Sequence, residues 1–235
     1  MVNVTWLGHA AFMFKHSGFT FLIDPFLDNP NCPIKSIPVG IDAILITHGH
    51  SDHIGSTIEI LNANPSCKAY ANVEIASYLG KKVRNNVIGF NKGGTVSIGG
   101  NFKVTMVDAI HSSDIDTENG IIPGGTPAGF VVKGNGTTFY FSGDTDVFSD
   151  MAIINDLYQP EYAFLCIGDY YTMGPIQAAY SINNFLTNVK TVIPMHFGTF
   201  PVLTGTPEEL EKNIKTNTKV LTLKFGSPYD IFNLH

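Results

Sequence analysis

One short run constrains this chain more than any other: Thr47-His48-Gly49-His50-Ser51-Asp52-His53. It follows Ala43-Ile44-Leu45-Ile46-Thr47, an apolar stretch of the kind that forms a strand buried on both faces. Four groups able to hold a metal ion thus fall within six residues of a strand exit. In extended chain, residues two apart point to the same side, so His48 and His50 can grip one ion. The helical pattern over 54–62 implies a turn after them, which brings Asp52 and His53 round towards a second ion. Imidazole with carboxylate is a donor set for zinc, iron or manganese. A lone His or Asp behind a strand is more often a cap or turn residue. Four in one loop have little structural reason to stand together without metal.

Three further residues share that context. His111 follows a strand expected at 102–109, Asp144 follows one at 137–142, and His196 follows Thr191–Met195. Binding groups gather where loops leave the ends of strands in a rigid scaffold. Two other residues stand at strand ends. His9 closes a first strand at 2–7, and Asp24 closes the second arm of a hairpin, 11–15 with 19–24, turned at His16-Ser17-Gly18. His9 is expected beside the metals, contacting substrate or serving as acid or base. Asp24 is placed to accept a hydrogen bond from a ligand imidazole. His16, in the hairpin turn, and His235, the last residue, are left out of the ligand set.

Around these points strands and helices alternate. Further strands are expected at Lys68–Ala71, 95–98, 128–133 and 163–167, and helices at 147–158 and 175–188. The last helix opens on Thr206-Pro207-Glu208-Glu209, a capping box with proline at the first position. No low-complexity segment or charge block divides the chain, so one domain over residues 1–235 is expected, of the α/β class with mixed sheets.

Composition narrows the function. Charged residues make up 14% of the chain and the net charge is −6, with Arg84 as the one arginine. A chain so poor in the residue that grips phosphates and bases is not expected to bind nucleic acid. No apolar stretch approaches the roughly 20 residues that span a bilayer, and the first residues carry no signal-peptide pattern, so no membrane association is expected. Cys32, Cys67 and Cys166 are odd in number and form no CxxC pair, which fits a reducing, cytoplasmic setting. The glycine-rich stretch 112–126 is long enough to act as a lid. Tyr170-Tyr171-Thr172-Met173 and Phe197–Phe200 are expected to supply aromatic and apolar walls, with Thr172, Met173 and Phe200 lining a pocket for a small, weakly charged substrate.

The run His48-x-His50-x-Asp52-His53, with His111, Asp144 and His196 in order behind it, resembles the signature of the metallo-β-lactamase-fold hydrolases, and the resemblance covers essentially the whole chain. Trp6-Leu7-Gly8-His9, Leu22-Ile23-Asp24-Pro25, Thr172-Met173-Gly174-Pro175 and Pro194-Met195-His196-Phe197-Gly198-Thr199 are similar to a short single-domain branch akin to ascorbate-6-phosphate lactonases. The resemblance implies a four-layer αβ/βα sandwich of two mixed sheets with metals at one edge. It implies His48, His50 and His111 on one metal, Asp52, His53 and His196 on a second, and Asp144 bridging them. It further implies two divalent ions, zinc first, with manganese, iron or nickel as alternatives, and a homo-oligomer. The expected activity is hydrolysis of a lactone, ester or amide in a small metabolite by a metal-bridging hydroxide, with Asp52 carrying the proton. Three other readings share the scaffold: a phosphodiesterase or RNA-processing nuclease, which wants a basic surface; a di-iron reductase, which generally carries a carboxylate where His50 stands; and a metal-binding module without turnover.

Overall fold

The computed structural model describes residues 2–84 and 87–230; His235 lies outside them. Two seven-stranded sheets dominate. In the first, the strand order is Pro228–Asp230, Asn3–Trp6, Phe12–His16, Phe19–Ile23, Ala43–Leu45, Lys68–Ala71 and Val87–Gly89. Its first four strands run antiparallel and its last three join in parallel. The second sheet repeats the plan from Thr95–Gly99 through Phe102–Asp108, Ala128–Gly134 and Thr137–Phe141 to the parallel strands Tyr162–Cys166, Thr191–Met195 and Lys219–Val220.

Local chemistry explains the hairpins. Ser17 and Gly18 both take positive φ, 47° and 85°, in the two-residue loop that joins His16 to its partner Phe19. Asn135 and Gly136 do the same at 52° and 82°. That turn matches the right-handed twist of the strands it connects.

Three apolar layers hold four layers of structure together. Between the sheets lie Trp6, Phe12, Phe14, Phe21, Phe139 and Phe164 with their neighbours. The ring of Phe14 stacks on Phe21 at 4.8 Å within its own sheet and on Phe139 at 4.9 Å across the interface. Burying one such ring stabilises by about 1.5–3 kcal/mol relative to leaving it in water. Outside the first sheet, Ile44, Ile46 and Ala69 meet Ile60, Ile75 and Leu79 of the helices Thr57–Ala63 and Val73–Gly80. Outside the second, Val131, Ala163 and Leu165 meet Ile154, Ala179 and Leu210 of the helices Met151–Tyr158, Pro175–Asn184 and Pro207–Asn213. The alternation is visible in one strand: Ala43 and Leu45 face the other sheet while Ile44 faces the helices. The fold is the expected α/β sandwich with helices outside two mixed sheets.

The helix expected at 54–62 is two helices, Ser51–Ile54 and Thr57–Ala63. Gly55 parts them at φ 47°, where a Cβ would stand 2.5 Å from the Pro25 carbonyl oxygen. Periodicity alone does not register that close approach. The stretch 112–126 is no open loop: Ile115–Thr117 and Gly120–Ile122 pair as a hairpin, and Ile115 is buried in the first sheet's outer layer. Asn72 fastens it further by donating to the carbonyls of Gly124 and Thr126 at 2.7 and 3.1 Å. No helix among the described residues is long and apolar enough to cross a membrane.

Candidate metal centre

The pairing pattern aims six loops at one edge. Asn3–Trp6, Phe19–Ile23 and Ala43–Leu45 point the same way in the first sheet, as do Phe102–Asp108, Thr137–Phe141 and Thr191–Met195 in the second. Their C-terminal exits carry His9, Asp24, the His48–His53 run, His111, Asp144 and His196 in turn. His9, Asp24 and His196 take left-handed backbone, φ 52°, 47° and 56°. For residues with a Cβ this is strained geometry, of the kind that clusters at functional sites.

The donors fall into two groups. His48, His50 and His111 offer ligand atoms within 4.8 Å of one another, and so do Asp52, His53, His196 and His9. Between them stands Asp144. Its Oδ2 lies 2.9 Å from Nε2 of His196, 3.3 Å from His53, 3.7 Å from His111 and 4.0 Å from His48. Nε2 of His53, Nε2 of His196 and Oδ1 of Asp144 are buried with no hydrogen-bond partner. Such orphaned groups cost too much to bury idle. They are all Lewis bases converging on one spot, so the donor set fits divalent cations.

Surrounding hydrogen bonds fix which nitrogen each imidazole presents. Asp24, fully buried, accepts from the Thr47 amide at 2.8 Å, from Thr47 Oγ1 at 2.7 Å and from His53 Nδ1 at 2.7 Å. Thr47 Oγ1 spends its proton on Asp24, so it accepts from His48 Nδ1 at 2.9 Å. Both rings thereby carry a proton on Nδ1 and turn Nε2 to the centre. His50 is reversed: its Nε2 meets Ser112 Oγ at 3.1 Å, and its Nδ1 lies 3.0 Å from His48 Nε2.

Electrostatics follow from the crowding. Burial opposes charge on His53 and His196, but the facing carboxylates, Asp144 first among them, together outweigh it, carrying His53 well above the imidazole range and His196 up to about 9. Burial raises the Asp144 and Asp52 carboxyls, and the facing imidazoles more than reverse this, holding both below the usual carboxylate range. His48 is pushed down by burial and by His53 beside it. Carboxylates thus hold protons on imidazoles at the place where a cation would take the protons' position.

His9 is not in the cavity. It is fully buried, joined to Asp52 Oδ2 through Nε2 at 3.0 Å and to Thr199 Oγ1 through Nδ1 at 3.0 Å. Burial, followed by His196, pulls its pKa down to about 4. As a neutral ring it accepts from the Thr199 hydroxyl and donates to Asp52. Its ring therefore meets the Asp52 carboxylate and does not line the cavity. Thr47, Thr199 and Ser112 escaped the sequence reading; the Thr-His pair in front of the metal run was the one available hint, for Thr47.

A cavity of about 560 Å³ opens over the donors. Besides the donors, its wall is made of Phe26, Tyr171 and Phe200 with Ser51, Ser112 and Asp116. Phe200 stands where the sequence places it, but Thr172 and Met173 do not line the cavity. Met173 is packed in the outer layer of the second sheet, and Thr172 turns its hydroxyl back to the Met173 carbonyl at 3.2 Å. Left-handed Asp169 and Tyr170, φ 63° and 60°, redirect the chain so that Tyr171 faces the cavity instead.

Gly49 explains the compactness of the first motif. A Cβ there would lie 2.2 Å from the Ser113 carbonyl oxygen, and the Gly49 amide donates to Ser113 Oγ at 3.1 Å. Gly49→Ala is expected to push the 112–126 segment outward and weaken metal binding at least about tenfold, read by competition with a chromogenic chelator. Wild-type affinity in the variant would show that the contact yields freely.

Sequence and structure comparisons place the chain. Residues 20–197 match the family model described as the β-lactamase superfamily domain. The chain belongs to the β-lactamase superfamily. Within it, this member is 48% identical over 218 residues to the UPF0173 metal-dependent hydrolase of Koribacter versatilis, covering 91% of this chain and 92% of that protein. It is 43% identical over 233 residues to the one from Methanosarcina barkeri, covering 98% and 99%. Among solved structures, Igni18, a metallo hydrolase from Ignicoccus hospitalis, superposes with TM-score 0.84 at 30% identity, covering 97% of both chains. Isothiocyanate hydrolase from Delia radicum gut bacteria shares the fold at TM-score 0.71 and 18% identity, covering 97% of this chain and 98% of that one.

Proposed function

We infer that the chain is a dinuclear metal-dependent hydrolase that cleaves a lactone, ester or amide bond in a small molecule. The observation that carries this reading is the position of Asp144 Oδ2, within 4.0 Å of imidazole nitrogens from both donor groups. His48, His50 and His111 would hold one ion, Asp52, His53 and His196 the other, and Asp144 both. Two bound divalent ions, zinc by first expectation, supply Lewis acidity and a nucleophile at neutral pH.

The chain's own residues do the rest. Asp52 is the carboxylate in reach of both the buried His9 and the cavity. His9 Nε2–H pins Oδ2, and Oδ1 makes no hydrogen bond among the described residues. Held below the usual carboxylate range, Asp52 is ionised at neutral pH, so Oδ1 accepts the proton lost as water attacks and delivers it to the leaving atom. Phe26 and Phe200, each near the His9 ring at 5.7 and 5.5 Å, shield this end from bulk water. A cavity without lysine or arginine suits a small substrate better than nucleic acid.

The test is a screen of lactones, esters and amides with zinc- or manganese-loaded protein, followed by Asp52→Asn on the best substrate. Turnover should fall by roughly a hundredfold to ten-thousandfold while metal content by elemental analysis stays within twofold. Full turnover in the variant ends the proton role, and no hydrolysis by the metal-loaded protein ends the hydrolase reading.

A further inference from the structure

The wall of the cavity says what kind of molecule enters it. Neither lysine nor arginine lines it, so no side chain offers an anion a fixed positive charge. Asp52 and Asp144 are engaged with the imidazoles. Asp116 is not. It sits in the middle of Ile115–Thr117, where period-two alternation buries Ile115 in the core and turns Asp116 the opposite way, into the cavity. Its carboxylate makes no hydrogen bond or ion pair among the described residues. The hairpin that carries it is fixed by Ser113 and Asn72, both bound to the Gly124 carbonyl, at 3.0 and 2.7 Å. Elsewhere the wall is aromatic: Phe26, Tyr171 and Phe200, with Tyr171 60% exposed.

An unpaired carboxylate and exposed aromatic faces around a space without basic residues form a receptor for an organic cation. The carboxylate supplies the counter-charge, and the ring faces attract an ammonium group through their quadrupoles. A tail bearing phosphate or carboxylate would meet Asp116 with like charge and find no basic side chain.

We propose that the substrate carries a protonated or quaternary amine, received at the cavity wall by Asp116 and the exposed aromatic rings, and that Asp116 sets this preference. The proposal rests on the cavity being the hydrolytic site.

Three benzohydroxamates test it, alike in the chelating head and bearing a trimethylammonium, methyl or phosphonate group in the para position. Their binding to the metal-loaded protein is measured by calorimetry. The ammonium probe should bind about tenfold more tightly than the phosphonate, the sum of one attraction and one repulsion at an exposed carboxylate. Asp116→Asn should bring that ratio near one, and Asp116→Lys should invert it. Tyr171→Leu should weaken the ammonium probe about two- to fivefold with less effect on the methyl probe. Phosphonate binding as tight as ammonium in the wild type, an unchanged ratio in Asp116→Asn, or no binding of any probe overturns the proposal. Turnover plays no part in the measurement. Probes that bind in the expected order to a protein that hydrolyses nothing would leave the cation preference standing and remove the hydrolase reading alone.

Discussion

Asp144→Ala should reduce bound metal from about two ions per chain to one or fewer, and turnover by at least about a thousandfold. The expectation follows from one atom. Asp144 Oδ2 is 2.9 Å and 3.3 Å from the His196 and His53 nitrogens, and 3.7 Å and 4.0 Å from those of His111 and His48. No other carboxylate among the described residues reaches imidazoles of both groups. Without it, a cluster of three imidazoles and a cluster of imidazoles with the Asp52 carboxylate are left close together, and two dications there repel with no anion between them. Asp144→Asn separates charge from shape, since the amide keeps the oxygen but not the negative charge. The measurement is elemental analysis of protein purified without chelator or histidine tag. Two ions retained in the alanine variant would mean that Asp144 does not join the groups.

Asp24→Ala should cost about 3–5 kcal/mol of stability in the metal-free protein and about ten- to a hundredfold in metal affinity. Asp24 does not line the cavity over the donors. It accepts three hydrogen bonds of 2.7–2.8 Å from the Thr47 amide, the Thr47 hydroxyl and His53 Nδ1, all buried. Truncation strands these donors together and frees two imidazoles at once, because the Thr47 hydroxyl also orients His48. Denaturant unfolding in excess chelator isolates the first effect, and metal competition measures the second. A metal-free variant within about 1 kcal/mol of wild type would show that the three donors find water or another acceptor.

The strand exits were legible in the sequence because their punctuation is local. An apolar run ending in Thr47-His48, or in Met195-His196, marks where a buried strand stops and a polar group begins. The hairpin turns were legible for the same reason: Ser17-Gly18 and Asn135-Gly136 supply the positive φ that the turn requires. What stayed hidden depends on chain distant in sequence. Thr199 reaches His9 across 190 positions, and Thr199 carries no local mark of that role. The helix Val73–Gly80 was missed because it is short and follows directly on a strand; its clearest signal is Asn72, whose side chain caps it by accepting from the Ile75 amide at 2.9 Å. The stretch Tyr170–Met173 was marked as wall, but which of its residues faces the cavity hung on two left-handed residues, Asp169 and Tyr170, neither of them glycine.

Both donor groups draw on both sheets. His48, His50, Asp52 and His53 leave the first, while His111, Asp144 and His196 leave the second. The first sheet's donors are all made before residue 54, and those of the second begin at residue 111. A chain emerging from the ribosome therefore exposes half of each coordination sphere long before the other half exists. Tight capture waits until the two sheets have closed on their shared layer of phenylalanines. An ion bound there clasps the sandwich shut at its rim, so its free energy of binding adds to the stability of the closed form alone.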